Sequence, residues 1–205
     1  MKFKVNLLIL LCCVALFLFT SSQLNATVLN SSLTTDNEFY LYISTNDLIP
    51  GTLVGYGSNW GATYSYGSLL TANVTNYIHI YGIDWGGPQG LLGTFTLDDA
   101  NFVFENGTNT LNTDTVNWDV NTTGFGNAYN APVSYGLNGV SPWGYHPPIS
   151  STAEWIWDPS GNSYFANKSY FSTKIIPISV PAPEPSTMLL VGAGLLGMGF
   201  AIRKK

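Results

Sequence analysis

Between residues 36 and 176 the chain is cut into short runs of aromatic and β-branched residues by Gly, Pro, Asn and Asp. Nowhere in that stretch do apolar residues recur at a helical period. Period-two runs with dense turn signals leave few architectures open. The runs cover residues 38–43, 52–56, 64–66 with 69–70, 77–83, 91–97, 101–105, 115–120, 154–157 and 164–176, the last with a break near Asn167. Asp98-Asp99 reads as a tight hairpin and Asn106-Gly107 as a further turn. Eight or so short strands without helices predict an all-β fold, an antiparallel β-sandwich of jelly-roll type. From 121 to 150 runs a long, aromatic, Gly- and Pro-rich segment. A segment of that length is either functional or a cover for an open face.

Charge narrows the partners. Charged residues are only 9% of the chain, while hydrophobic residues are 45%. A sizeable core is therefore within reach and the middle of the chain should be ordered. Its polarity comes from Asn, Thr, Ser and Gly. Eleven Asp and Glu lie from Asp36 to Asp158, against Lys168 and Lys174 alone between the termini. A body this acidic repels phosphate backbones and anionic lipid, so nucleic acid is excluded as a partner. Both cysteines, Cys12 and Cys13, fall in an N-terminal apolar run. The body thus has no disulfide, thiolate nucleophile or Cys metal site.

The two ends read as address labels. Residues 1–26 have the layout of a secretory signal peptide: Lys2 and Lys4, an apolar run over 5–19 broken by Asn6, then Ser21, Ser22 and Ala26, with the cut expected after Ala26. Residues 27–35 read as a polar lead-in and 36–178 as the β-sandwich domain. Pro181, Pro183 and Pro185 make 179–187 an extended tether, because alternate prolines exclude helix and central strand. Residues 188–202 form an apolar run and 203–205 a basic tail. As a helix the run would be roughly 22 Å long at ~1.5 Å per residue. Ser186, Thr187 and the snorkelling cations extend it toward the ~30 Å hydrocarbon core, so a single transmembrane helix is expected.

Pro183-Glu184-Pro185, the glycine-rich apolar run and Arg203-Lys204-Lys205 stand in that order over about the last 23 residues. Together they resemble the PEP-CTERM sorting signal of Gram-negative bacteria. That resemblance implies recognition at the inner membrane by an exosortase, a cysteine-dependent processing enzyme. It also implies removal of the anchor and delivery to the cell surface or the exopolysaccharide matrix. In this role Pro183, Glu184, Pro185, Arg203, Lys204 and Lys205 are recognised rather than catalytic.

The body carries a second resemblance over residues 36–176. Asp36 to Tyr42, Gly86-Gly87-Pro88 leading to Leu91-Leu92, Trp118, Pro142-Trp143-Gly144 and Ala153 to Trp157 are similar to galactose-binding-like jelly-roll modules. Such modules accompany glycan-active proteins. Many have an Arg where this chain has Ala166-Asn167.

Individual motifs are weighed against simpler readings. Gly192-Ala193-Gly194-Leu195-Leu196-Gly197 spells a dinucleotide fingerprint, but no strand precedes it and no βαβ unit follows. Its glycines give the apolar run a small-residue face instead. Six tryptophans occupy the body: Trp60, Trp85, Trp118, Trp143, Trp155 and Trp157. Trp155 and Trp157, two apart, should face one side of a strand and the core. Asp84 with Trp85, and Trp143 with Tyr145 and His146, sit in loops and are the candidate carbohydrate contacts, an indole stacking on a sugar ring while polar neighbours hold its hydroxyls. Asp98 and Asp99, with Asn101 and Glu105, could hold a structural Ca²⁺ through oxygens, although hairpin chemistry accounts for them. No motif marks a nucleophile, and no two carboxylates are singled out as a glycosidase pair. The chain is expected to be a non-enzymatic exported surface or matrix protein associated with exopolysaccharide. A lectin-like carbohydrate-binding module is the first alternative and a secreted glycan hydrolase the second.

Overall fold

The computed structural model describes residues 26–160 and 167–178. The signal peptide expected over 1–26, but for its last residue, and the expected tether, transmembrane helix and basic tail lie outside those residues. Among the described residues twelve strands follow one another: β1 (Val28–Asp36), β2 (Glu38–Ser44), β3 (Thr52–Gly57), β4 (Tyr64–Leu69), β5 (Asn76–Asp84), β6 (Gly90–Leu97), β7 (Phe102–Phe104), β8 (Thr110–Asn112), β9 (Asp119–Asn121), β10 (Val133–Leu137), β11 (Glu154–Trp157) and β12 (Asn167–Pro177). They form two antiparallel sheets. The first runs β10-β11-β6-β1-β4, with β8 also on β6; the second runs β3-β2-β5-β12-β7, with β9 also on β12. Among the described residues no helix is long and apolar enough to cross a membrane.

The sheets face each other across one core. Phe39, Leu41 and Ile43 of β2, Ile78 and Ile80 of β5, and Phe171 and Ile175 of β12 point inward from the second sheet. Leu29 and Leu33 of β1 and Phe95 of β6 meet them from the first. This is the expected alternation of a half-buried strand, and each large side chain so buried contributes about 1.5–3 kcal/mol. A smaller cluster lies apart: Leu92, Trp143, Ile149, Ala153 and Trp155.

Three expectations are corrected. The polar lead-in over 27–35 is β1, a central strand paired with β4 on one side and β6 on the other. Its Ser, Thr and Asn hid the signal, yet Leu29 and Leu33 lie on one face and are fully buried. The run over 115–120 is mostly a turn, in which Asp114 accepts the Val116 and Asn117 N–H groups and Val116 is 85% exposed; only Asp119 and Val120 join β9. Trp155 and Trp157 are both buried but serve different clusters, Trp155 stacking on Trp143 and Trp157 meeting Phe171 edge-on. β11 pairs with β6 at Ile156–Leu91 alone, and its ladder with β10 contains a bulge. Strict two-residue alternation is not imposed on so loosely paired a strand.

The segment from 121 to 150 divides. After β9 it crosses the outside of the second sheet, where Phe125 lies flat on His79. After β10 it covers the outside of the first, where Trp143 and Ile149 close over Leu92 and Trp155.

Candidate functional site

Of the five residues singled out for carbohydrate contact, Asp84 closes β5 rather than lying in a loop, and only Trp85 and Tyr145 are exposed. Trp85 is 65% exposed just past β5, and its backbone N–H donates to Asn37 Oδ1 at 2.6 Å. Trp143 is 8% exposed: its indole N–H donates to Asp36 Oδ2 at 2.8 Å and its ring stacks on Trp155 at 4.4 Å. Gly90 makes this stack possible, since a Cβ there would stand 2.7 Å from the Trp155 ring and 3.5 Å from that of Trp143. His146 is buried, with its ring Nε2–H donating to the Trp143 carbonyl at 3.2 Å, while Tyr145 is 59% exposed. Trp85 and Trp143 are therefore not exposed together.

Asp84 is fully buried, its oxygens accepting the Gly86 N–H and the Asn167 side-chain amide, both at 2.9 Å. Burial, with nearby Asp36 adding to it, pushes its carboxyl up to about 6. Burial also raises that of Asp36. Asp98 and Asp99 tie down the start of the domain: Asp98 Oδ1 accepts the Val28 N–H at 2.7 Å, and Asp99 accepts the Thr27 hydroxyl and both the backbone and side-chain N–H of Asn101. Hairpin and strand anchoring account for these bonds. Among the described residues no cluster of three or more His, Cys, Asp and Glu converges.

The structure draws attention instead to the outer face of the second sheet. Residues alternating with the core positions of β2, β5 and β12 are Tyr40, Tyr42, Tyr77, His79, Tyr81, Tyr170 and Ser172. The register aligns Tyr56, Tyr40, Tyr81 and Tyr170 in one row across β3, β2, β5 and β12. Their rings touch in sequence, with centroids 4.8 Å apart for Tyr40–Tyr56, 6.0 Å for Tyr40–Tyr81 and 4.8 Å for Tyr81–Tyr170. Cross-strand aromatic pairs of this kind also steady the sheet by roughly 0.2–1 kcal/mol each.

The next row holds Tyr42, His79, Ser172 and Asp119. His79 is fully buried under Phe125, which stacks on it at 4.2 Å and 14°. Its Nε2 lies 3.0 Å from Asp47 Oδ1 and its Nδ1 3.2 Å from the Pro50 carbonyl. The same Asp47 oxygen accepts the hydroxyls of Ser172 at 2.8 Å and Tyr129 at 3.1 Å. This network pins the loops at 45–51 and 121–130 to the sheet. Gly126 makes the contact close: it sits at φ +74°, and a Cβ would come within 2.7 Å of the Leu48 Cα.

Between the tyrosine row and these loops lies a groove of about 310 Å³, lined by Tyr42, Leu48, Pro50, Tyr81, Gly124, Phe125 and Tyr170. It is open to solvent on one side. Burial raises the Tyr42 and Tyr81 hydroxyls, and neighbouring Tyr170 adds to both. Burial also pushes Tyr129 up to about 12. The phenols thus stay neutral and present O–H groups rather than phenolates. The arrangement offers apolar rings that carry neutral hydroxyls. Sequence reasoning missed it because strand aromatics read as core. The usable signal was the choice between ring types: Tyr40 and Tyr42 alternate with Phe39, Leu41 and Ile43, and Tyr77 and Tyr81 with Ile78 and Ile80.

The described part is thus a two-sheet antiparallel β-sandwich. Residues 181–205 match the family model of the PEP-CTERM protein-sorting motif. The motif marks an exosortase-processed surface protein: exosortase is its processing partner, and export with a transient C-terminal anchor precedes release to the cell surface. No curated protein and no solved structure matches the chain.

Proposed function

We propose that the sorted β-sandwich is a non-enzymatic module that holds exopolysaccharide outside the cell, through the tyrosine face of its second sheet. The observation that carries this reading is the row Tyr56–Tyr40–Tyr81–Tyr170 beside an open groove. Aromatic rings with polar tips combine apolar contact with hydrogen bonding at a wet surface. The paired carboxylates Asp36 and Asp84 favour a non-catalytic role, since each has oxygens engaged by protein donors and both are buried.

Two experiments test the two halves. A glycan array probed with the full-length protein in detergent is expected to give binding that Tyr81→Leu abolishes; an empty array removes the carbohydrate reading. Replacing Pro183-Glu184-Pro185 with alanines is expected to leave the chain full-length in the inner membrane. Release and gel mobility unchanged by that replacement would contradict the processing route.

A further inference from the structure

Resting on that reading, we infer that the groove selects sugars bearing a free, protonated amine over neutral and acidic sugars. Three observations converge on a cation. The first is the shape of the aromatic lining. Phe125 stands nearly perpendicular to both Tyr42, at 72° and 6.3 Å, and Tyr170, at 87° and 5.1 Å. Phe125 keeps one face on His79 and Tyr170 one face on Tyr81, so these rings line the groove at right angles to each other, and an ammonium brought against a ring face is attracted by its quadrupole.

The second observation is a cation already on this ladder: the Lys168 ammonium lies 6.0 Å from the centroid of the Tyr170 ring. The third is charge. Glu38, Asp47, Glu105 and Asp119 border the face, against Lys168 and Lys174, and Lys174 is paired with Glu105 at 3.2 Å. With eleven acids against two lysines between the termini, the field of the domain attracts cations and repels uronates. The groove, at about 310 Å³, is at the small end of small-molecule sites. It exceeds what a bare ammonium fills, so a sugar ring carrying the amine is the fitting occupant. The tyrosine hydroxyls then meet its hydroxyls.

The test is calorimetric titration of the full-length protein in detergent with three hexamers: glucosamine, N-acetylglucosamine and galacturonate. The glucosamine hexamer is expected to bind about tenfold or more tighter than its acetylated counterpart, with galacturonate weakest. Phe125→Leu is expected to erase the preference for the amine. Equal or tighter binding of the N-acetylated hexamer, displaced by competition from the same groove, overturns the amine selectivity while leaving the carbohydrate reading intact. Absence of binding by all three, together with an empty glycan array, overturns both. The comparison among hexamers on the wild-type protein decides the matter even where the Phe125 variant does not fold.

Discussion

The outsides of the two sheets are built from similar materials and put to opposite uses. On the first sheet the loop after β10 lays its own Trp143 and Ile149 over Leu92 and Trp155, and the indole N–H of Trp143 donates to Asp36. On the second sheet the loop after β9 lays Phe125 flat on His79 and against Tyr42 and Tyr170, and the tyrosines stay half-buried. Aromatic content alone therefore does not mark a binding face. What separates the two is how much ring area the covering loop removes from water.

The comparison breaks first where burial is deepest. Trp155→Ala should destabilise the domain by about 3–5 kcal/mol, read from the denaturant midpoint, because it opens a cavity under Trp143. Gly90→Ala should cost about 1–3 kcal/mol by driving a methyl group into the Trp155 ring. Tyr81→Leu on the open face should change stability by about 1 kcal/mol or less while removing glycan binding. If the tyrosine variant proves as destabilising as the tryptophan one, the two faces do not differ as described.

The gentlest prediction concerns pH. The folded domain holds the Asp84 proton more tightly than the unfolded chain, since burial lifts that carboxyl to about 6. Between about pH 4 and pH 6 the native state therefore binds more protons, and stability falls as pH rises through that window. Asp36, raised by burial as well, acts in the same direction. Denaturant midpoints measured across this range should decline with pH in the wild type, and the decline should be shallower in Asp84→Asn. An unchanged slope in that variant would show that Asp84 is not the source.

Sequence periodicity was enough for the all-β class, because Phe39, Leu41 and Ile43 alternate with tyrosines in β2 and Ile78 and Ile80 with Tyr77, His79 and Tyr81 in β5. It failed at β1, whose burial comes from pairing on both edges rather than from its own hydrophobicity. It failed again over 121–150, since nothing local in a Gly-rich segment says which sheet it will cross. The same ignorance led to choosing Trp143 as a contact alongside Trp85: both lie in loops, but only the fold places Asp36 under one indole and solvent around the other. Candidate residues of the tyrosine row were visible one strand at a time. Their alignment depends on the register of four strands drawn from residues 38 to 177, which no single stretch encodes.

The central claim is that the open tyrosine face, and not the tryptophans, holds polysaccharide. It is tested most directly by the affinity of full-length protein for exopolysaccharide purified from the producing cells, compared between wild type, Tyr81→Leu/Tyr170→Leu and Trp85→Ala. The account predicts a loss of about tenfold or more in the double tyrosine variant and little change in Trp85→Ala. A folded double variant that binds as the wild type does, or a loss confined to Trp85→Ala, would contradict it.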